Sequence, residues 1–154
     1  MLKVHETRPF TANRRVSRDS FGRVYWSANK VNFDEDAMPQ TCRESYSGLV
    51  HLIEVAHEVH ASVLKTALTQ RKFALCEVVE AFIFGVVMPD LVRQYPPILA
   101  LGTIGSPDGE DFFCPQLFLF GKNSVSLGIE YLVRDSALGE ICVPRGTHFL
   151  ALDA

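Results

Sequence analysis

Residues 43–70 read RESYSGLVHLIEVAHEVHASVLKTALTQ, and the period assigned to this stretch decides the fold. It contains no proline, and its single glycine, Gly48, lies near its start. At ~100° per residue with Ala56 as the centre, Leu49, Leu52, Ile53, Val59, His60, Val63 and Ala67 gather within about 60° of one face. Glu54, Glu58 and His51 fall ~140–160° away, on the solvent side. The pattern predicts an amphipathic helix roughly seven turns long. A second helix is predicted over 73–88, apolar nearly all round, with Glu77 and Glu80 on one stripe. Pro89 opens a short helical turn that Pro96-Pro97 ends.

Outward from this spine the chain becomes strand-forming. Lys3 to Phe10 suits a short edge strand, residues 11–20 are polar and basic, and RVYWSANKVNF at 23–33 is rich in β-formers. Downstream, 117–120 and 124–133 flank the turn residues Gly121 and Asn123 as one hairpin. Residues 140–143 and 147–152 flank Pro144-Arg145-Gly146 as a second. Strands, then helices, then strands is the α+β order. The expected fold is one α+β domain over 1–154. An antiparallel sheet of N- and C-terminal strands packs on one long amphipathic helix and a second buried helix, with 1–20 as a partly mobile basic segment.

Composition bounds the class. The chain has 154 residues, 47% hydrophobic and 21% charged, with net charge −3. That is too apolar for a disordered tail and long enough to bury ~68–70% of the surface of its unfolded chain. The N-terminus shows no secretory apolar core, and the longest strongly apolar run, Ala81 to Met88, is far short of the ~20 residues a membrane helix needs. Cys42, Cys76, Cys114 and Cys142 form no close pair, so reduced thiols in a cytoplasmic protein are expected.

Charge is uneven. Residues 1–30 carry seven basic and two acidic residues; the remainder carries eight basic and sixteen acidic. Phe10, Phe21, Tyr25 and Trp26 interleave the basic arm, as in single-strand binders. The sequence pI of about 5.9 argues against a nucleic-acid partner. A basic arm on an acidic body, with an all-round apolar helix, suits self-association as a dimer or higher homo-oligomer.

The segment HLIEVAHEVH at 51–60 is dense in metal-capable groups, and Glu54 and His57 have the E-x-x-H spacing. No second copy of that spacing exists, and Glu54 and His60 fall on opposite helical faces. No metal or cofactor is therefore expected. His60 on the apolar face needs partners for its ring nitrogens, and Glu77 or Glu80 on the next helix could supply one. Such a pair can serve as an acid-base couple, making His60 and Glu80 the catalytic candidates. The expected ligand-binding residues, between helices and sheet, are His60, Glu77, Glu80, Phe84 and Arg134, with Phe82 and Trp26 as further lining. Asp108 to Asp111 reads as a solvated acidic turn.

Two short resemblances sit near the C-terminus. EICVPRGTHFL at 140–150 resembles the strand after the catalytic glutamate of bacterial ADP-ribosyltransferases, which implies that role for Glu140. Leu138 stands where those enzymes need Glu or Gln. Gly139 to His148 resembles the second cupin motif, a metal-binding strand-turn-strand, with one residue missing before Pro144 and another before His148. Each resemblance covers about ten residues, and neither family is assigned. The sequence thus points to a self-associating protein with a small-molecule pocket. The alternatives are a small enzyme with a His/Glu acid-base pair and a nucleic-acid module led by the basic arm.

Overall fold

The computed structural model describes residues 1–13, 45–106, 109–121, 124–135 and 137–154. In chain order these form β1 (Leu2–Asn13), β2 (Ser45–Val55), β3 (Val59–His60), α1 (Ala61–Gln70), β4 (Phe73–Leu75), α2 (Val78–Val87) and α3 (Pro89–Gln94). Then come β5 (Ile98–Leu99), β6 (Phe112–Phe120), β7 (Ser124–Leu132), β8 (Cys142–Val143) and β9 (His148–Asp153). None of the helices is long and apolar enough to cross a membrane.

The long helix expected over 43–70 is overturned. Its first part is strand β2, its middle is β3, and only Ala61–Gln70 is helical. The physical reason is the place of β2 in the sheet, between β1 and β9. Val50 and Leu52 enter one hydrophobic core, and Ile53 and Val55 enter another. A strand covered on both faces reads as a continuous apolar run rather than an alternation. The period-2 signal is therefore erased, and the helical template matches by default. The β-branched Val50, Ile53 and Val55 supply the strand preference that the angular count ignores.

The sheet has seven strands in the order β1-β2-β9-β5-β6-β7, with β4 also pairing β9. It is mixed rather than antiparallel, because β5 runs parallel to β9. β9 is its axis: Leu150 and Leu152 join the core under α2 and α3, whereas Phe149 and Ala151 join the core under α1. The sheet is thus clad by short helices on both faces, in place of one helical spine. The second predicted helix begins later than expected, at Val78, because Phe73–Leu75 pairs with Leu75↔Ala151 to Phe73↔Asp153 as β4.

The edge strand expected over Lys3 to Phe10, within a partly mobile 1–20 segment, is longer than expected: β1 runs Leu2–Asn13 and pairs with β2 along its full length, so 11–13 are strand as well. The predicted strand at 23–33 and the remaining basic arm lie outside the described residues. The β6–β7 hairpin forms around the expected turn. The second expected hairpin does not: β8 pairs β3, while β9 pairs β2, β4 and β5. An apolar strand at the sheet centre buries more surface than the same strand in an isolated ribbon, which is why β9 leaves its neighbour.

Candidate functional site

Three adjacent strands build the first cluster. Glu54 on β2 lies directly opposite His148 on β9. On the other side, the β1–β2 register shifts between Val4 and Glu6, which makes His5 the extra residue of a bulge. A bulge re-aims the side chain it carries. Here the imidazole comes to Glu54: His5 Nε2 lies 3.6 Å from Glu54 Oε1, and His148 Nε2 lies 3.2 Å from the same oxygen. The Tyr95 ring, just after α3, packs 5.0 Å from His5 and 5.5 Å from His148.

The three side chains are half-buried. Burial lowers the proton affinity of His148, as does the neighbouring His5, and Glu54 opposes both. The neutral ring is the form that ligates metals. His5 Nε2 is buried and has no hydrogen-bond partner among the described residues. Donors at ~2.0–2.1 Å from a tetrahedral ion stand about 3.3 Å apart. The two nitrogen–oxygen separations bracket that value.

The second cluster lies around the small β3–β8 ribbon. His60 is opposite Cys142 in the ladder. His60 Nε2 is 3.3 Å from Asp135 Oδ2, and its Nδ1 is 3.8 Å from Glu140 Oε2. Asp135 is held below the usual carboxylate range, chiefly because the Ala137 backbone N–H donates to it at 2.9 Å, with His60 adding to the effect. The Cys142 thiol is pushed up by burial and by the Glu58 and Asp135 carboxylates. A thiol so placed is a poor nucleophile when the protein stands alone. Cys142 also lines a cleft of about 320 Å³ bordered by Leu99, Glu130, Tyr131 and Arg145. Burial raises the Glu130 carboxyl at its rim.

The residues named from sequence are dispersed. His60 is no mid-helix residue; it ends β3 and precedes α1, with Asp135 and Glu140 as its partners. Glu77 and Glu80 are buried, but they cap α2. The Glu77 N–H donates to Glu80 Oε1 at 3.0 Å, and the Glu77 side chain accepts from the Glu80 backbone. Phe84 is packed in the core under α2, beside Phe10 at 6.3 Å. Arg134 is exposed and bridges Ile141 through its backbone. Glu77, Glu80 and Phe84 therefore belong to the α2 face, whereas His60 and Arg134 belong to the β3–β8 ribbon. Trp26 lies outside the described residues.

His51, expected toward solvent, is buried. It bonds Thr7 Oγ1 through Nδ1 at 2.9 Å and Asp153 Oδ1 through Nε2 at 2.7 Å, and it stacks on Phe73. Sequence reasoning passed over His5 and Asp135, reached His148 only through the resemblance to the second cupin motif, and treated Cys142 as an inert thiol. A usable signal was the density of ligands in 51–60, which supplies Glu54 to one cluster and His60 to the other. Comparison with protein-family models, curated proteins and solved structures finds no match to this chain.

Proposed function

We propose that this protein binds a divalent first-row transition-metal ion through His5 Nε2, Glu54 Oε1 and His148 Nε2. One observation carries the reading. Two imidazole nitrogens converge on a single carboxylate oxygen, and one of them, on His5, is buried without a hydrogen bond. A buried polar atom left unpaired costs about 1–3 kcal/mol, and a cation at the convergence point removes that cost. Imidazole with carboxylate suits zinc, iron, copper or nickel better than magnesium or calcium. Three protein donors leave a fourth position for water or a small ligand. A small ligand would then sit at that position, apart from the His60, Glu77, Glu80, Phe84 and Arg134 set expected from the sequence, and the bound ion would supply Lewis-acid chemistry there.

Equilibrium dialysis of the metal-free chain against Zn²⁺ tests this. His5→Gln and His148→Gln are each expected to lose one equivalent of bound zinc while keeping the wild-type circular dichroism spectrum. Folded variants that both retain the wild-type stoichiometry would overturn the assignment.

Self-association is a second reading, favoured by two features. β1 is twelve residues long and pairs only with β2 among the described residues. Val86 and Val87, at the end of α2, are 63% and 58% exposed. A long outer strand and an exposed apolar patch suit a second copy of the chain. Light scattering across micromolar concentrations is expected to show a dimer or larger, with Val86→Lys/Val87→Lys shifting the mass toward the protomer. A protomer mass for the wild type at every concentration removes this reading.

A further inference from the structure

We infer that His60 Nε2, Asp135 Oδ2 and Cys142 Sγ form a second metal site, of zinc type, whose Cys142 ligand borders a cleft. It rests on different residues from the two-histidine cluster and does not depend on it.

The backbone brings the three donors together. The β3–β8 ladder sets His60 opposite Cys142. The segment between Asp135 and Cys142 is closed by Asp135 N–H to Glu140 O at 2.7 Å and Cys142 N–H to Val133 O at 2.8 Å. Gly139 N–H donates to Asp135 O at 2.7 Å, and Gly139 takes φ 69°, a left-handed turn that glycine adopts without a Cβ penalty. The turn returns Asp135 to the ribbon, and the Ala137 N–H holds its Oδ1. Its other oxygen, Oδ2, is left facing His60.

The geometry suits a small dication. The nitrogen, oxygen and sulfur donors all lie within 4.8 Å of one another, and the His60–Asp135 separation of 3.3 Å is the spacing expected around a tetrahedral ion. His60 Nε2 points to the donor set, while Nδ1 lies on the side of the Glu140 carboxylate, 3.8 Å away, where metal-bound imidazoles commonly have an outer partner. Thiolate is the donor that selects zinc over magnesium and calcium. Of the three donors Cys142 alone borders the cleft, which Glu130, Tyr131, Arg145 and the first cluster's His148 also line.

Cobalt reports thiolate ligation directly. Co²⁺ added to the reduced, metal-free full chain is expected to give a near-ultraviolet sulfur-to-cobalt charge-transfer band, bleached by Zn²⁺ and unaffected by excess Mg²⁺. The band should vanish in Cys142→Ser, persist in Cys42→Ser, and persist in His5→Gln/His148→Gln. The double variant separates this site from the first: its band survives even if the two-histidine site binds nothing. No band in the wild type, or a band retained in Cys142→Ser, overturns the inference. Should Cys142→Ser fail to fold, the wild type still decides. Zn²⁺ is expected to shield Cys142 from alkylation, read by mass spectrometry, and an unchanged alkylation rate refutes the site.

Discussion

Phe149→Ala is expected to destabilise the protein by about 3–5 kcal/mol, the usual cost of truncating a buried phenylalanine. Phe149 has no solvent exposure and sits on β9, the strand that β2, β4 and β5 all pair with. Its ring packs in the core that includes Ile53, Leu64, Leu68, Leu99 and Leu132. Loss of the ring therefore opens a cavity where α1 meets the sheet, and neither layer can close it without shifting a paired strand. Domains of this size hold about 5–15 kcal/mol in total, so the variant forfeits a large share. Urea unfolding is the measurement: the midpoint should fall while the slope stays near wild type. Leu150→Ala, truncating the next residue into the opposite core, is expected to cost about 2–5 kcal/mol. A loss below ~1 kcal/mol for either variant would contradict a sheet covered on both faces.

That two-faced burial also explains what the sequence concealed. Turn chemistry and proline placement are local, and they were legible in part: Pro89 does open α3 and the chain does reverse between β6 and β7, but the strands flanking Pro144-Arg145-Gly146 pair elsewhere. The period of 43–70 was not legible, because its apolar residues serve two cores rather than one. Glu77 and Glu80 were read as a charged stripe because a capping box is usually announced by Ser or Thr, and here a glutamate takes the N-cap. The site was hidden for a related reason. A spacing search finds ligands that share a helix or loop, whereas His5, Glu54 and His148 come from three strands joined only by sheet register. A one-residue bulge decides whether His5 meets Glu54, and no pattern in MLKVHETRPF announces it. His60 was singled out for the right property, an imidazole needing partners, but on the wrong element and with the wrong carboxylates.

Glu54→Ala should separate a structural role for the first cluster from a metal-binding one, because the two predict opposite dependence on zinc. Without metal, Glu54 Oε1 has His148 Nε2 at 3.2 Å and His5 Nε2 at 3.6 Å, and its side chain is partly solvated. Partly exposed pairs of this kind contribute roughly 0–1 kcal/mol, so the metal-free variant should unfold close to wild type. With Zn²⁺ at a hundredfold excess over its dissociation constant, the wild type should gain about 2.7 kcal/mol from mass action. Removing even an outer partner of a ligand commonly lowers metal affinity by 10–100-fold, and Glu54 is a ligand in this reading. The variant should therefore gain almost none of that stabilisation at the same free zinc. Glu54→Gln isolates the charge, since the amide keeps the shape but is a weak ligand; it should behave like Glu54→Ala in zinc. Because the thiolate cluster also binds zinc in this account, the comparison is made in a Cys142→Ser background. If Glu54→Ala loses several kcal/mol in chelator, the cluster is a structural hydrogen-bond network. If it keeps the full zinc-dependent rise, the ion sits elsewhere.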